Sequence, residues 1–221
     1  MYESQVTFTI DTICPWTYLA KKRLDQALSQ VQSPSVTFSL HFDPYQPSAD
    51  LPETIPDRSQ WALEHKHNNN PAAQELYQAH MIGLAEPLDA PLAFAGPTGN
   101  TLHAHRVIQL VQESGGATAT NRLVDELFRL YFAEGWHPTA HDTLVTACVA
   151  AGVSEEQAKV LVTDREKGLR QVKEKIRNVG MDTDAVPVVT VEGRRRDLTL
   201  TGLKEVKDYV KALETIIKES S

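Results

Sequence analysis

The chain has 221 residues, enough to bury a full core as one domain or as one domain with a large insertion, so disulfide staples are not required. With 22 Lys+Arg against 29 Asp+Glu the formal charge is -7, which argues against nucleic acid or an anionic membrane surface and leaves small molecules or proteins as the expected partners. The start Met1-Tyr2-Glu3-Ser4-Gln5 has no basic n-region, no stretch approaches the roughly 18 apolar residues of a membrane span, and a cytoplasmic location is expected.

Val6, Phe8 and Ile10 alternate with Thr7 and Thr9, the period-2 pattern of a strand. The loop Asp11-Thr12-Ile13 leads to Cys14 and Pro15, and proline suits the first position of a helix, where its missing N–H is no loss. Tyr18, Leu19, Leu24 and Leu28 continue as a helical stripe; after Ser33-Pro34-Ser35, Val36, Phe38, Leu40 and Phe42 mark a second strand. Pro44, Pro47, Pro52 and Pro56 then separate this β-α-β opening from about 120 residues with almost no strand signal. Helices are predicted there at Asp57 to Asn68, Pro71 to Gly83, Thr101 to Ser114, Thr120 to Glu134, His141 to Ala151 and Ser154 to Arg177, the last broken near Asp164. Strand character returns over Val186 to Val191, then a Glu192-Gly193 turn, a run Leu198-Thr199-Leu200 and a final helix from Leu203 to Lys218. The pattern predicts an α/β thioredoxin fold, β-α-β…β-β-α. Residues 1–50 and 180–221 form the thioredoxin-like domain, and 51–179 an all-helical insertion.

Cysteine reactivity belongs to the thiolate, and a free thiol with pKa near 8.5 is only about 3% ionised at neutral pH. At the start of a helix, unpaired N–H groups and the positive end of the macrodipole favour the anion, so Cys14 is expected to be acidic. A drop of about two units, roughly 2.7 kcal/mol, would make it mostly thiolate. Three residues on, where a redox pair carries its second thiol, stands Thr17. Its hydroxyl can stabilise the thiolate but cannot close a disulfide, so a mixed disulfide at Cys14 requires an external thiol such as glutathione. A cis Pro187 would place the backbone of Val186 beside Cys14, free to pair with glutathione or an extended chain. Cys148, within Thr146-Ala147-Cys148-Val149-Ala150, reads as helix core. No histidine grouping has a complete ligand set, so no metal is expected. Arg194-Arg195-Arg196 reads as a solvated hairpin turn.

Asp11 to Leu19 resembles the active-site stretch of the DsbA superfamily, especially its FrnE-like branch, where Cys-Pro-Trp-Cys is usual. Phe42 to Pro47, Asn100-Thr101-Leu102-His103-Ala104-His105-Arg106, Leu127-Phe128 with Tyr131 to Gly135, and Val186-Pro187 resemble further segments of that branch. The resemblance implies Cys14, Thr17 and Pro187 as catalytic residues. Pro15, Trp16, Asn100, His105, Arg106, Val186 and Thr201 are the implied substrate-binding residues. Asn100 also fits a helix N-cap, and His105 and Arg106 fit a role in fixing the insertion. Thr201-Gly202-Leu203-Lys204 departs from the Gly-Ala-Gln of many relatives. The implied activity is a single-cysteine thiol oxidoreductase acting on a small-molecule or peptide thiol. Glutathione serves as cosubstrate, no cofactor is tightly bound, and a homodimer is compatible. A sister branch, the kappa-class glutathione transferases and 2-hydroxychromene-2-carboxylate isomerases, carries serine at the first position. It raises a second expectation, glutathione-dependent isomerisation or transfer on a small aromatic or polyketide-like substrate. A redox-inactive binding or scaffold protein is the third.

Overall fold

The computed structural model describes residues 1–220. Strand β1 (Tyr2–Ile10) is followed by helix α1 (Pro15–Gln30) and strand β2 (Val36–Pro44), the predicted opening. The insertion holds α2 (Arg58–Lys66), α3 (Pro71–Ala85), α4 (Leu102–Phe128), α5 (His141–Ala150), α6 (Glu155–Thr163) and α7 (Leu169–Asp182). Strands β3 (Val188–Val191) and β4 (Leu198–Thr201) and helix α8 (Val206–Ser220) close the chain. The sheet order is β2-β1-β3-β4: β1 pairs parallel with β2 from Tyr2↔Val36 to Ile10↔Pro44, and antiparallel with β3.

Strand β1 starts earlier than the alternation indicates, because a partner exists for Tyr2, Glu3 and Ser4 although their side chains do not alternate apolar and polar. Ser4, Val6, Phe8 and Ile10 share one face and are fully buried, and Thr9 on the other face is buried too, so the strand is covered on both sides at its C-terminal end. Leu19, Leu24 and Ala27 of α1 join Tyr209, Leu213 and Ile216 of α8 in the core.

Strand β2 is an edge, and helix α4 closes it. The outward N–H of Phe42 donates to Gln112 Oε1 at 2.7 Å, and its carbonyl accepts from Gln109 Nε2 at 2.9 Å. Two glutamines on successive turns thus take the place of a neighbouring strand at Phe42. Helix α7 docks beside the same edge through Lys175, which meets Asp43 at 2.8 Å and Gln109 at 2.9 Å.

The two helices predicted over 101–114 and 120–134 lie within α4 on either side of a kink at Gly116, whose φ of 71° is open to glycine. Helix α4 runs directly into a π-helical turn, Arg129–Ala133. Just past the kink, the Thr120 hydroxyl donates to the Gly116 carbonyl at 2.8 Å.

Buried Lys21 of α1 joins this helix to the sheet domain, reaching Asp25 at 2.6 Å and Asp125 of α4 at 2.8 Å. Its ammonium is about 1% exposed, whereas the two carboxylates keep partial contact with water. Neutralising both carboxylates strands a buried charge, whereas removing the lysine leaves only solvated anions. Asp25→Asn/Asp125→Asn is therefore expected to lose about 3 kcal/mol in urea unfolding and Lys21→Met distinctly less.

Candidate functional site

Cys14 is the N-cap of α1, with extended φ/ψ of -86° and 114°, and Pro15 opens the helix. The Cys14 N–H donates to the Asp11 carbonyl at 3.1 Å and its carbonyl accepts from Tyr18 at 3.1 Å, so the backbone of the Asp11-Thr12-Ile13 loop holds the cysteine at the helix start. Facing it, the Val186–Pro187 peptide is cis. Strand β3 begins at Val188 rather than Val186, and the carbonyl of Pro187 accepts from Gly202 at 2.8 Å.

Between the sheet domain and the insertion lies an open cleft of about 640 Å³ lined by Cys14, Pro15, Trp16 and Val186. From the insertion come Arg58, Trp61, Tyr77, Phe94, Tyr131 and Phe132. The π-helical turn supplies the last two from adjacent positions; their rings meet edge-on, with centroids 4.8 Å apart. Trp16 packs at a tilt on His80 of α3, and Tyr77 of the same helix stands edge-on to Phe94. Gly96 packs against Gly135 behind this wall: a Cβ there would sit 2.5 Å from the Gly135 carbonyl oxygen.

The expectation of an acidic Cys14 is corrected. Burial pushes the thiol up from its ordinary value. The Thr17 hydroxyl and the N–H groups of Thr17 and Trp16 pull it back down, and the Asp11 carboxylate raises it further. By surface area the residue is half-buried, but its sulfur lies under the insertion, where removal from water outweighs the helix terminus. Tyr77 feels the same setting: burial, followed by the nearby Cys14, pushes its hydroxyl up to about 12.

Beneath Cys14 lies a pocket of buried polar atoms. Asp11 Oδ1 is 3.5 Å from His105 Nε2, both side chains are buried, and neither ring nitrogen of His105 makes a hydrogen bond. His105 is thus close to the thiol loop but does not line the cleft. Arg106, expected among the substrate-binding residues, is instead fully buried: it donates to the carbonyls of Leu161, Val162, Asp164 and Lys167 and closes the end of α6. Asn100 also lies outside the cleft. Its Oδ1 accepts from Leu102 N at 2.9 Å, while its Nδ2 donates to Ala49 and Leu51, pinning the proline-rich segment to the start of α4. Thr201 pairs with Val188 and is exposed away from the cleft. Cys148 is fully buried in α5, and burial pushes its thiol up to about 12, offset in part by Arg106. Among the described residues no group of three metal-ligating side chains occurs.

A four-stranded sheet, a cysteine capping α1 and a cis-proline loop sharing its cleft define a thioredoxin-fold protein with a helical insertion. The model of the DSBA-like thioredoxin domain matches residues 5–214, and the chain belongs to that family. The fold agrees with a probable DsbA oxidoreductase from Streptomyces coelicolor at TM-score 0.82 and 19% identity, covering 99% of this chain and 92% of that one. The cytosolic disulfide reductase DsbM from Pseudomonas aeruginosa is similar at TM-score 0.63 and 16% identity, covering 97% and 98%, and a structure of it with GSH gives TM-score 0.63. A 2-hydroxychromene-2-carboxylate isomerase is similar at TM-score 0.62 and 15% identity, covering 97% and 94%. No curated protein matches the sequence. No helix of the described residues is long and apolar enough to cross a membrane.

The opposing influences on Cys14 can be separated by substitution. The midpoint of the pH–rate profile for alkylation by iodoacetamide is expected above that of a free cysteine. It should fall in Asp11→Asn, which removes a nearby negative charge, and rise in Thr17→Val, which removes the buried hydroxyl that favours the anion. A wild-type midpoint below free cysteine would contradict this balance.

Proposed function

We propose that the protein is a glutathione-linked thiol oxidoreductase that works through Cys14 alone. The observation that carries this reading is the cleft in which Cys14 and the backbone of Val186 meet with Thr17, not a second thiol, at the fourth position of the motif. Neither the N–H nor the C=O of Val186 is used by another described residue, so an extended thiol such as glutathione has a donor and an acceptor to pair with.

In the first step the Cys14 thiolate attacks a substrate disulfide. One S–S bond breaks, another forms at Cys14, and the departing thiolate carries away the electron pair while the thiol proton goes to solvent. A second thiolate, from glutathione, then attacks the mixed disulfide and releases Cys14. This leaves one half of the substrate joined to glutathione; a second glutathione thiolate cleaves that bond, so the substrate disulfide becomes two thiols and two glutathiones become one glutathione disulfide. Thr17 stabilises the sulfur anion, and Pro15 and Trp16 shape the entrance. The reductase resolved with GSH shares this fold, which supports the choice of cosubstrate.

The aromatic, apolar cleft favours a second reading, glutathione-dependent isomerisation or transfer on a small aromatic molecule, in which Cys14 keeps its redox state. Incubation with oxidised glutathione followed by mass spectrometry distinguishes them. Expected is one glutathione adduct, on Cys14, released by excess glutathione and absent in Cys14→Ala. Absence of the adduct across neutral and alkaline pH overturns thiol exchange. Disulfide-reducing turnover that vanishes in Cys14→Ala removes the scaffold alternative.

A further inference from the structure

We propose that the cleft takes a ligand with an anionic group on a flat apolar body, and that Arg58 and Lys66 receive the charge. This deepens the reading above by naming the class of molecule offered to Cys14.

Arg58 is 7% exposed and lines the cleft. Its Nη1 donates to the Tyr131 carbonyl at 3.0 Å, its Nη2 to the Ala93 carbonyl at 2.7 Å, and its guanidinium lies 4.2 Å from the centre of the Tyr131 ring. Its Nε–H meets no acceptor, and no carboxylate of the described residues is within ion-pair distance. Carbonyl dipoles and an aromatic face solvate a cation without neutralising it, and a cation this far out of water ordinarily has an anion beside it. About two turns further along α2, exposed Lys66 also lines the cleft, over the Trp61 ring at 5.3 Å and without a carboxylate partner. Two unpaired cations therefore share a wall with Trp61, while Tyr77 and Phe94 supply apolar surface in the same cleft.

The thiol end has the opposite sign. Asp11 lines the cleft beside Cys14, and Arg58 and Asp11 act on the buried Tyr131 hydroxyl in opposite directions. An anionic group is favoured toward Arg58 and disfavoured toward Cys14, so charge alone orients a ligand with its apolar, sulfur-bearing end toward the thiol. Tying α2 to the π-helical turn and to Ala93 requires only the two Nη groups of Arg58, and that role leaves its buried Nε bare.

Titration calorimetry on the full chain with 4-nitrobenzoate and its neutral counterpart 4-nitrobenzamide tests the proposal without any reaction at sulfur. The carboxylate is expected to bind about tenfold tighter, the scale of one charge-assisted contact. Arg58→Met should bring the two probes close to parity, Arg58→Lys should retain most of the preference, and Lys66→Gln should reduce it. Equal binding of both probes by the wild type, or binding of neither, overturns the proposal. So does a preference unchanged in Lys66→Gln and Arg58→Met; where Arg58→Met does not fold, the wild-type comparison and Lys66→Gln decide. Formation of the Cys14 glutathione adduct is read independently, so either proposal can fail alone.

Discussion

Desolvation of the Cys14 sulfur sets the terms for everything around it. The helix terminus, the Thr17 hydroxyl and two backbone N–H groups all favour an anion there, but the insertion has taken away the water that would favour it more, and Asp11 adds a negative charge. This balance exists only because two parts of the chain meet. The sheet domain supplies the cysteine and its cis-proline neighbour; the insertion supplies the cover, through Tyr77 on α3 and the Tyr131–Phe132 pair.

The insertion has to be held firmly for such a cover to have a defined shape, and its attachments are mostly polar side chains reaching backbone groups. Gln109 and Gln112 complete the edge of β2, Arg58 grips the carbonyl of Tyr131 in the π-helical turn, and Arg106 collects the last carbonyls of α6. Each satisfies backbone groups that local secondary structure leaves over, which would be costly if buried unpaired. Lys21 adds a charged link between α1 and α4.

Local signals were enough for the elements and for Cys14. Alternation marks β1 and β2, Cys14-Pro15 marks the helix start, and the proline-rich segment marks the beginning of the insertion. The break expected between residues 114 and 120 is there, as a kink at Gly116, where the backbone leaves helical geometry. What depends on distant parts of the chain was less legible. Asn100, His105 and Arg106 resemble a functional signature, but their side chains serve packing and helix ends in the structure. Arg58, Tyr77 and Asp11 carried no distinguishing spacing at all: one arginine at a helix start, one tyrosine on a stripe and one loop aspartate become neighbours only when the insertion folds back. The acidity of Cys14 was misjudged for the same reason, since a helix terminus is visible in sequence and a roof over it is not.

The raised pKa of Cys14 also bears on electron flow. A sulfur that holds its proton tightly holds another sulfur tightly and departs slowly as a leaving group. Oxidising catalysts draw their power from the opposite arrangement, a thiolate so stable that it readily gives up its disulfide partner. In the proposed exchange, burial and Asp11 work against that stability, so the burden of breaking the mixed disulfide falls on the incoming thiol rather than on the protein.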